Sequence, residues 1–200
     1  MFRLIKSGKR QEDGSSGGDT EELARLTAER AENLFRNHGL SCSEAVLLVL
    51  NRGFGGGLPD ETCLGLGSGF GGGIGGSGCV CGALSGAVMA LGIYLGPALP
   101  KGMGKKDYRR LVSGLHDRFR ERSGSVCCRE LIADFRQRKS ERKHFCQGLT
   151  GWTAGETARL VLSERPELIQ RADRVFLAGA ESGFAALLKR VTGGKIAADK

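Results

Sequence analysis

The sequence predicts an all-α protein, a compact multi-helix bundle with a glycine-rich loop before a buried central helix. Apolar residues recur at helical spacing in several segments, and no segment shows the alternation of β-branched residues that is typical of a strand. The 40% content of hydrophobic residues is that of a globular protein, and 200 residues suffice for one domain with its own core. The 33 glycines follow no collagen repeat, so they indicate closely packed backbones or a loop that wraps something small.

Two helices are predicted in the first quarter of the chain. The first begins at Thr20, carries apolar residues along one face and ends at His38. The second opens with Ser41 and Glu44 in the S-x-x-E spacing of a capping box, which satisfies two free backbone N–H groups at a helix start. Cys42 therefore falls in the first turn of a buried helix.

The middle of the chain carries no charged residue over positions 62–99. Within it, residues 65–78 hold too many glycines for a stable helix or strand and are predicted to form a loop. A buried central helix is predicted over 79–95, ended by Gly96 and Pro97. Further helices are predicted over residues 107–122, 126–135, 154–165 and 167–190.

The uncharged run 80–99 is long enough to cross a bilayer, and Gly82 and Gly86 have the spacing of a transmembrane helix-dimer motif. Its many small residues, which make it only weakly apolar, and Pro97 near its end favour a buried helix of a soluble protein instead. We therefore expect no membrane span.

Three regions are predicted: a disordered N-terminal tail at 1–19, a main helical domain at 20–165 and a C-terminal helical extension at 166–200. The first ten residues contain basic side chains but lack the apolar run of a signal peptide. Seven cysteines without such a signal predict reduced thiols with structural, catalytic or metal-binding roles. We expect a cytoplasmic protein.

The net charge of +8 is concentrated in segment 105–144, which holds 13 Lys and Arg against 6 Asp and Glu. Because acids are interleaved with the bases, we interpret the segment as a solvated helix face, and we expect no nucleic-acid binding. If the segment docks a partner, the partner is expected to be an acidic redox protein, and salt is expected to weaken the complex. The sequence leaves the oligomeric state open.

Most of the cysteines fall at predicted helix starts, in three separate places: Cys42, Cys79 with Cys81, and Cys127 with Cys128. Free N–H groups and the partial positive charge of a helix start stabilise thiolate, the form that ligates metals and attacks disulfides. The glycine loop adds amides that can hydrogen-bond to sulfur. Cys63 is interpreted as a buried structural residue. The chain has no C-x-x-C pair, zinc-ribbon pattern, ferredoxin run or haem-attachment motif.

Four short sequence motifs, taken together, resemble those of one protein family. They are S-C-S-E-A-V from Ser41, G-F-G-G-G from Gly69, C-G-A-L-S-G from Cys81 and C-R-E-L from Cys128, followed by Cys146. Their order is similar to that of the C_GCAxxG_C_C family of redox-active proteins, which has four cysteines with a C-G-A-x-x-G motif at the second. The resemblance covers residues 20–165 and leaves 166–200 outside it.

The resemblance implies that a redox domain at 20–165 uses Cys42, Cys81, Cys128 and Cys146 as its functional set. A related cysteine module in split-Soret cytochromes is associated with an iron–sulfur site. The resemblance therefore implies that the four cysteines bind an iron–sulfur cluster, of unspecified type, for electron transfer or redox sensing. On this interpretation the protein is an electron-transfer protein or an oxidoreductase.

Two alternatives stay open. Without metal, Cys79 with Cys81 or Cys127 with Cys128 would supply attacking and resolving thiols for thiol–disulfide chemistry. The other alternative is a structural zinc site on a scaffold with a basic docking face.

The three histidines are weaker candidates for functional residues than the cysteines. His144 lies two residues before Cys146 and is the best candidate for a substitute metal ligand. His38 and His116 are interpreted as surface or capping residues.

Overall fold

The structure is a computed structural model, and it describes residues 14–179. Within this range the protein is all-α, and its β-structure is limited to an isolated bridge between Val80 and Cys127, so the predicted fold class is confirmed. The α-helices are α1 (Gly14–Asn37), α2 (Cys42–Gly53), α3 (Asp60–Ser68), α4 (Gly82–Leu95), α5 (Lys105–Ser123), α6 (Cys128–Leu131), α7 (Lys139–Glu164) and α8 (Arg174–Leu177), with 3-10 turns at Ala133–Phe135 and Pro166–Arg171.

Helix α2 forms the centre of the bundle. Residues 45–50 are all fully buried, because this segment is apolar on every face and α1, α3, α4 and α7 pack around it. The capping box predicted at its start is confirmed. The Ser41 N–H donates to Glu44 Oε2 at 2.7 Å, and the Glu44 N–H donates to Ser41 Oγ at 3.4 Å.

Two glycines let α4 approach the start of α2 closely. A Cβ atom at Gly86 would lie 2.6 Å from the carbonyl oxygen of Ser43, and one at Gly82 would lie 2.6 Å from Cys42 Sγ. Any larger residue at either position would push the helices apart. The C-G-A-x-x-G spacing therefore sets the start of α4 directly against the first turn of α2.

Several predicted boundaries are wrong. Helix α1 begins at Gly14 and not at Thr20, and Asp19 in its added turn pairs with Arg174 at 3.2 Å. Helix α3 continues into the glycine-rich segment as far as Ser68. Helix α4 begins at Gly82, because residues 79–81 are extended and pair with the segment around Cys127.

The largest difference concerns α7, which begins at Lys139 and not near residue 154. Gly151, which lies before the predicted start, and Gly155 both pack against α1. A Cβ atom at Gly155 would be 3.0 Å from the carbonyl oxygen of Ala24, and one at Gly151 would be 2.5 Å from the Glu32 side chain. Close packing of two long helices thus outweighs the low helix propensity of glycine.

The described part of segment 166–200 packs into the same core. Where the first part of the helix predicted over 167–190 was expected, it forms a 3-10 turn and then the short α8. Phe176 in α8 is fully buried and lies between the guanidinium groups of Arg30 and Arg52, at 4.8 and 4.7 Å. Residues 1–13 of the tail predicted at 1–19, and residues 180–200 of the extension, lie outside the described residues.

The 80–99 run was the one segment with a transmembrane interpretation. Its helical part, α4, has 14 residues, and none of the helices between residues 14 and 179 combines the length and apolar character needed to cross a bilayer.

Candidate functional site

Four cysteines from four separate segments line one cavity of about 380 Å³. Cys42 is the first residue of α2, and Cys81 is the N-cap of α4. Cys128 is the first residue of α6, and Cys146 lies within α7. The fold thus brings together thiols that are far apart in the chain.

The rest of the cavity wall is mainly apolar. Arg142 is the one charged residue among the described residues that line it. Such a wall keeps water away from the sulfurs and strengthens electrostatic interactions between them. The non-cysteine lining consists of Phe35, Ser41, Gly72, Gly76, Ala83, Leu131, Ile132, Arg142, Phe145, Leu149 and Thr150.

The glycine-rich loop after α3 folds against this cavity. Gly73 has a φ of 75°, and a Cβ atom there would lie 2.7 Å from Cys128 Cβ. Only glycine fits such a position without strain or displacement of its neighbours. The backbone N–H of Gly72 donates a hydrogen bond to Cys42, so the loop contacts two of the four cysteines.

Cys42 and Cys81 are hydrogen-bonded to each other. This bond, in which Cys81 donates, lowers the pKa of Cys42 to about 7, against the opposing effect of burial. Backbone N–H groups of Ser43, Gly72 and Cys42 itself also stabilise the Cys42 thiolate. The pKa of Cys81 is raised, first by its bond to Cys42 and then by its burial, since its exposed fraction is 7%. At neutral pH a substantial fraction of the pair is therefore a Cys42 thiolate beside a Cys81 thiol.

The other two cavity cysteines are thiols with raised pKa values. Burial, followed by the negative charge of Cys42, raises the pKa of Cys128, and the same two causes raise that of Cys146 to about 11. Arg142 opposes both shifts because its positive charge favours the thiolates. No signal in the sequence distinguishes Arg142 from the many other bases of its segment.

The remaining three cysteines do not line the cavity. Cys63 is fully buried in α3, and burial together with Asp60 raises its pKa to about 11, which agrees with a structural role. Cys79 is exposed, and Cys127 Sγ donates to the carbonyl oxygen of Gly78 at 2.9 Å.

The β-bridge fixes two of the cavity cysteines relative to each other. The Cys81 N–H donates to the carbonyl oxygen of Val126 at 2.8 Å, and the Cys128 N–H donates to that of Cys79 at 2.6 Å. Cys79 and Cys127 therefore act on the cavity through the backbone, by pairing the segments that carry Cys81 and Cys128.

The arrangement of the four cavity cysteines differs from a compact binding site for a single metal ion. Among the described residues, no three His, Cys, Asp or Glu side chains are close enough together to hold a metal ion as they stand. A tetrahedral Zn²⁺ needs four sulfurs at about 2.3 Å from a single point. Sulfurs that surround a cavity are better suited to a polynuclear cluster, whose ligands bind separate metal atoms.

The histidines lie away from this cavity. His144 is exposed and lines a neighbouring cleft together with Arg122 and Gly148. His116 pairs with Asp117 at 3.0 Å on α5. His38 follows the end of α1 and does not belong to the cavity lining.

Residues 40–160 match the family described as "Putative redox-active protein (C_GCAxxG_C_C)". The chain belongs to this family. The C_GCAxxG_C_C match runs from the start of α2 almost to the end of α7 and contains all four cavity cysteines. The resemblance seen in the sequence is thus confirmed. Neither a curated protein nor a solved structure matches the chain.

Proposed function

We propose that this C_GCAxxG_C_C protein binds an iron–sulfur cluster on Cys42, Cys81, Cys128 and Cys146 and uses it for electron transfer or redox sensing. The observation that carries the proposal is that four thiols from separate helices line a single cavity. Cysteine thiolates are the usual ligands of such clusters, and apolar walls with nearby amide donors tune their reduction potential. When bound, the cluster would accept and release electrons.

The protein's own residues prepare this cavity in three ways. Cys42 supplies a thiolate near neutral pH, because Cys81 and backbone N–H groups donate to it. Arg142 supplies positive charge beside Cys128 and Cys146, which lowers the cost of deprotonating them. Gly72 and Gly76 line the cavity without side chains, so their backbone can lie close to a bound group.

The test is the iron and acid-labile sulfide content of protein purified without air. Wild-type protein should be coloured and contain both. Cys81→Ala should lose both, whereas Cys63→Ala should keep them. The two variants are matched, because each removes one buried sulfur from the bundle, and only Cys81 lines the cavity. Colourless wild-type protein without sulfide would refute the proposal, and zinc in place of iron would select the structural zinc alternative.

The contact between Cys42 and Cys81 supports a second candidate, metal-free thiol–disulfide chemistry. The Cys42 thiolate would attack a substrate disulfide, form a mixed disulfide and release one substrate thiolate. Cys81, after losing its proton, would attack Cys42 Sγ and release the second substrate thiol. The substrate disulfide would be reduced by two electrons and the pair oxidised to a Cys42–Cys81 disulfide. This contact favours that pair over Cys79 with Cys81 or Cys127 with Cys128.

Thiol counting separates the two candidates. Mild oxidation of metal-free protein, followed by alkylation and peptide mapping, should show a Cys42–Cys81 disulfide if the second candidate holds. Cys63→Ala should give the same pair. If the cluster proposal alone holds, oxidation of the loaded protein should release iron before any thiol pair is lost.

We also propose an acidic redox partner for the basic segment 105–144 and a reducing compartment such as the cytoplasm. Exposed bases on α5, such as Lys105 and Lys106, support the first part, and free thiols persist where glutathione keeps them reduced. Binding of a partner that does not weaken as salt rises would contradict the docking proposal.

A further inference from the structure

A second cleft, of about 340 Å³, adjoins the cysteine cavity and shares Phe35, Arg142 and Cys146 with it. The cleft lies between the end of α1 and the first turns of α7. Three of its lining residues are basic and none is acidic. Its other described lining residues are Gly39, Leu40, Lys139 and Lys143.

The three bases of this cleft have no acidic partner within the described residues. Glu141, the acid nearest to them in sequence, pairs with Arg138 at 2.6 Å. Among residues 14–179, Lys143 Nζ donates only to a backbone carbonyl, that of Arg36, at 3.3 Å.

Some other arginines of the protein form ion pairs with acids that are distant in the chain. Arg159 pairs with Glu21 at 2.9 Å, and Arg118 pairs with Glu156 at 2.9 Å. Bases without an ion pair in residues 14–179 also occur on the open surface, for example Lys105 and Lys106, but Lys139, Arg142 and Lys143 surround one concave surface.

Arg142 occupies the boundary between the cleft and the cysteine cavity. It is half-buried, and its guanidinium forms no ion pair in the part of the chain that the structure describes. The planar fork of an arginine matches the two oxygens of a carboxylate or phosphate. Lys139 and Lys143, both exposed, add two further positive charges at the same opening.

We propose that this basic cleft binds a small anion that carries two or more charges on carboxylate or phosphate groups. Arg142 would bind one anionic group by paired hydrogen bonds, and Lys139 and Lys143 would neutralise the rest. Phe35 and Leu40 would contact the ligand's apolar part. The bound anion would lie beside Cys146, next to the proposed cluster. The site rests on the charges of the cleft, so it stands whether or not a cluster binds.

Calorimetric titration of the full-length protein at low ionic strength tests the proposal, with inorganic phosphate and succinate as the two probes. At least one probe should bind saturably at one site per chain. Lys139→Ala/Lys143→Ala and Arg142→Gln should each weaken that binding by about tenfold or more, since each removes charge-assisted hydrogen bonds. Lys105→Ala/Lys106→Ala is the matched control, because it removes two exposed charges from α5 and should change affinity less than about twofold.

Absence of saturable binding by both probes would overturn the proposal. Equal weakening of anion binding in the control variant and in Lys139→Ala/Lys143→Ala would also overturn it, because the effect would then come from the overall charge of the protein. If Arg142→Gln does not fold, Lys139→Ala/Lys143→Ala still tests the proposal, since neither lysine lines the cysteine cavity. Titrating metal-free protein in parallel separates this test from that of the cluster.

Discussion

Replacing Gly86 by alanine is predicted to disturb the contact between α2 and α4. The added Cβ atom would lie 2.6 Å from the carbonyl oxygen of Ser43 and 3.1 Å from its Cα, where ordinary contact begins at 3.4 Å. Both atoms are backbone atoms of a fully buried residue, so no side chain can move aside. The helices must separate locally by roughly 0.8 Å to remove the overlap with the oxygen, in an interior packed like an organic crystal.

Gly92 in the same helix provides the matched control. Of the residues that the structure describes, a Cβ atom there would meet only Tyr108 Oη, at an ordinary 3.5 Å. Alanine in place of a helix-interior glycine adds about 0.5–1 kcal/mol of stability at both positions. Overpacking at Gly86 should cost about 1–3 kcal/mol. Because the propensity gain cancels between the two variants, Gly86→Ala should be about 1–3 kcal/mol less stable than Gly92→Ala.

Urea unfolding of metal-free protein, followed by far-ultraviolet circular dichroism, measures this difference. The two variants should have the same m-value, so that the midpoints report stability alone. If Gly86→Ala is as stable as Gly92→Ala or more stable, α2 and α4 are not in the close contact described, and the geometry of Cys42 and Cys81 must be revised.

Three further predictions concern the site and its support. In metal-free protein the rate of Cys42 alkylation should be low in acid, where the thiolate is protonated, and should rise with pH through a half-maximum near pH 7. A half-maximum above pH 8.5 would contradict the lowered pKa of Cys42. Tyr94→Phe should cost about 0.5–1.5 kcal/mol in urea unfolding, because the buried Tyr94 hydroxyl donates to the carbonyl oxygen of Leu50 at 2.7 Å; an unchanged midpoint would contradict this. Gly73→Ala should lower iron loading far more than Gly75→Ala, since both have positive φ but only Gly73 has neighbours within 4 Å; equal loading would show that the loop does not shape the cavity.

Local signals in the sequence predicted the elements that depend on neighbouring residues. Ser41 and Glu44 form the capping box because a helix start needs partners for its free N–H groups wherever it lies in the fold. The buried character of α2 followed from its apolar residues on every face. Cys63, interpreted from the sequence as a buried structural residue, is buried as expected.

Features that depend on contacts distant in the chain could not be predicted in this way. The start of α7 was missed because Gly151 precedes the helix predicted over 154–165, and its contact with the Glu32 side chain of α1 is invisible in local spacing. The bridge between Val80 and Cys127 pairs two short extended segments without any strand pattern. The position of Arg142 beside the cysteine cavity likewise depends on how α7 packs and not on its neighbours in sequence.

X-ray absorption at the iron edge of protein purified without air tests the central proposal most directly. A cluster on the cavity cysteines should give the iron a first shell of sulfur and a second shell of iron. Both shells should be lost in Cys42→Ala, Cys128→Ala and Cys146→Ala and kept in Cys63→Ala. Iron bound only by nitrogen or oxygen, or a sulfur shell that survives these three substitutions, would contradict a cluster held by the cavity cysteines.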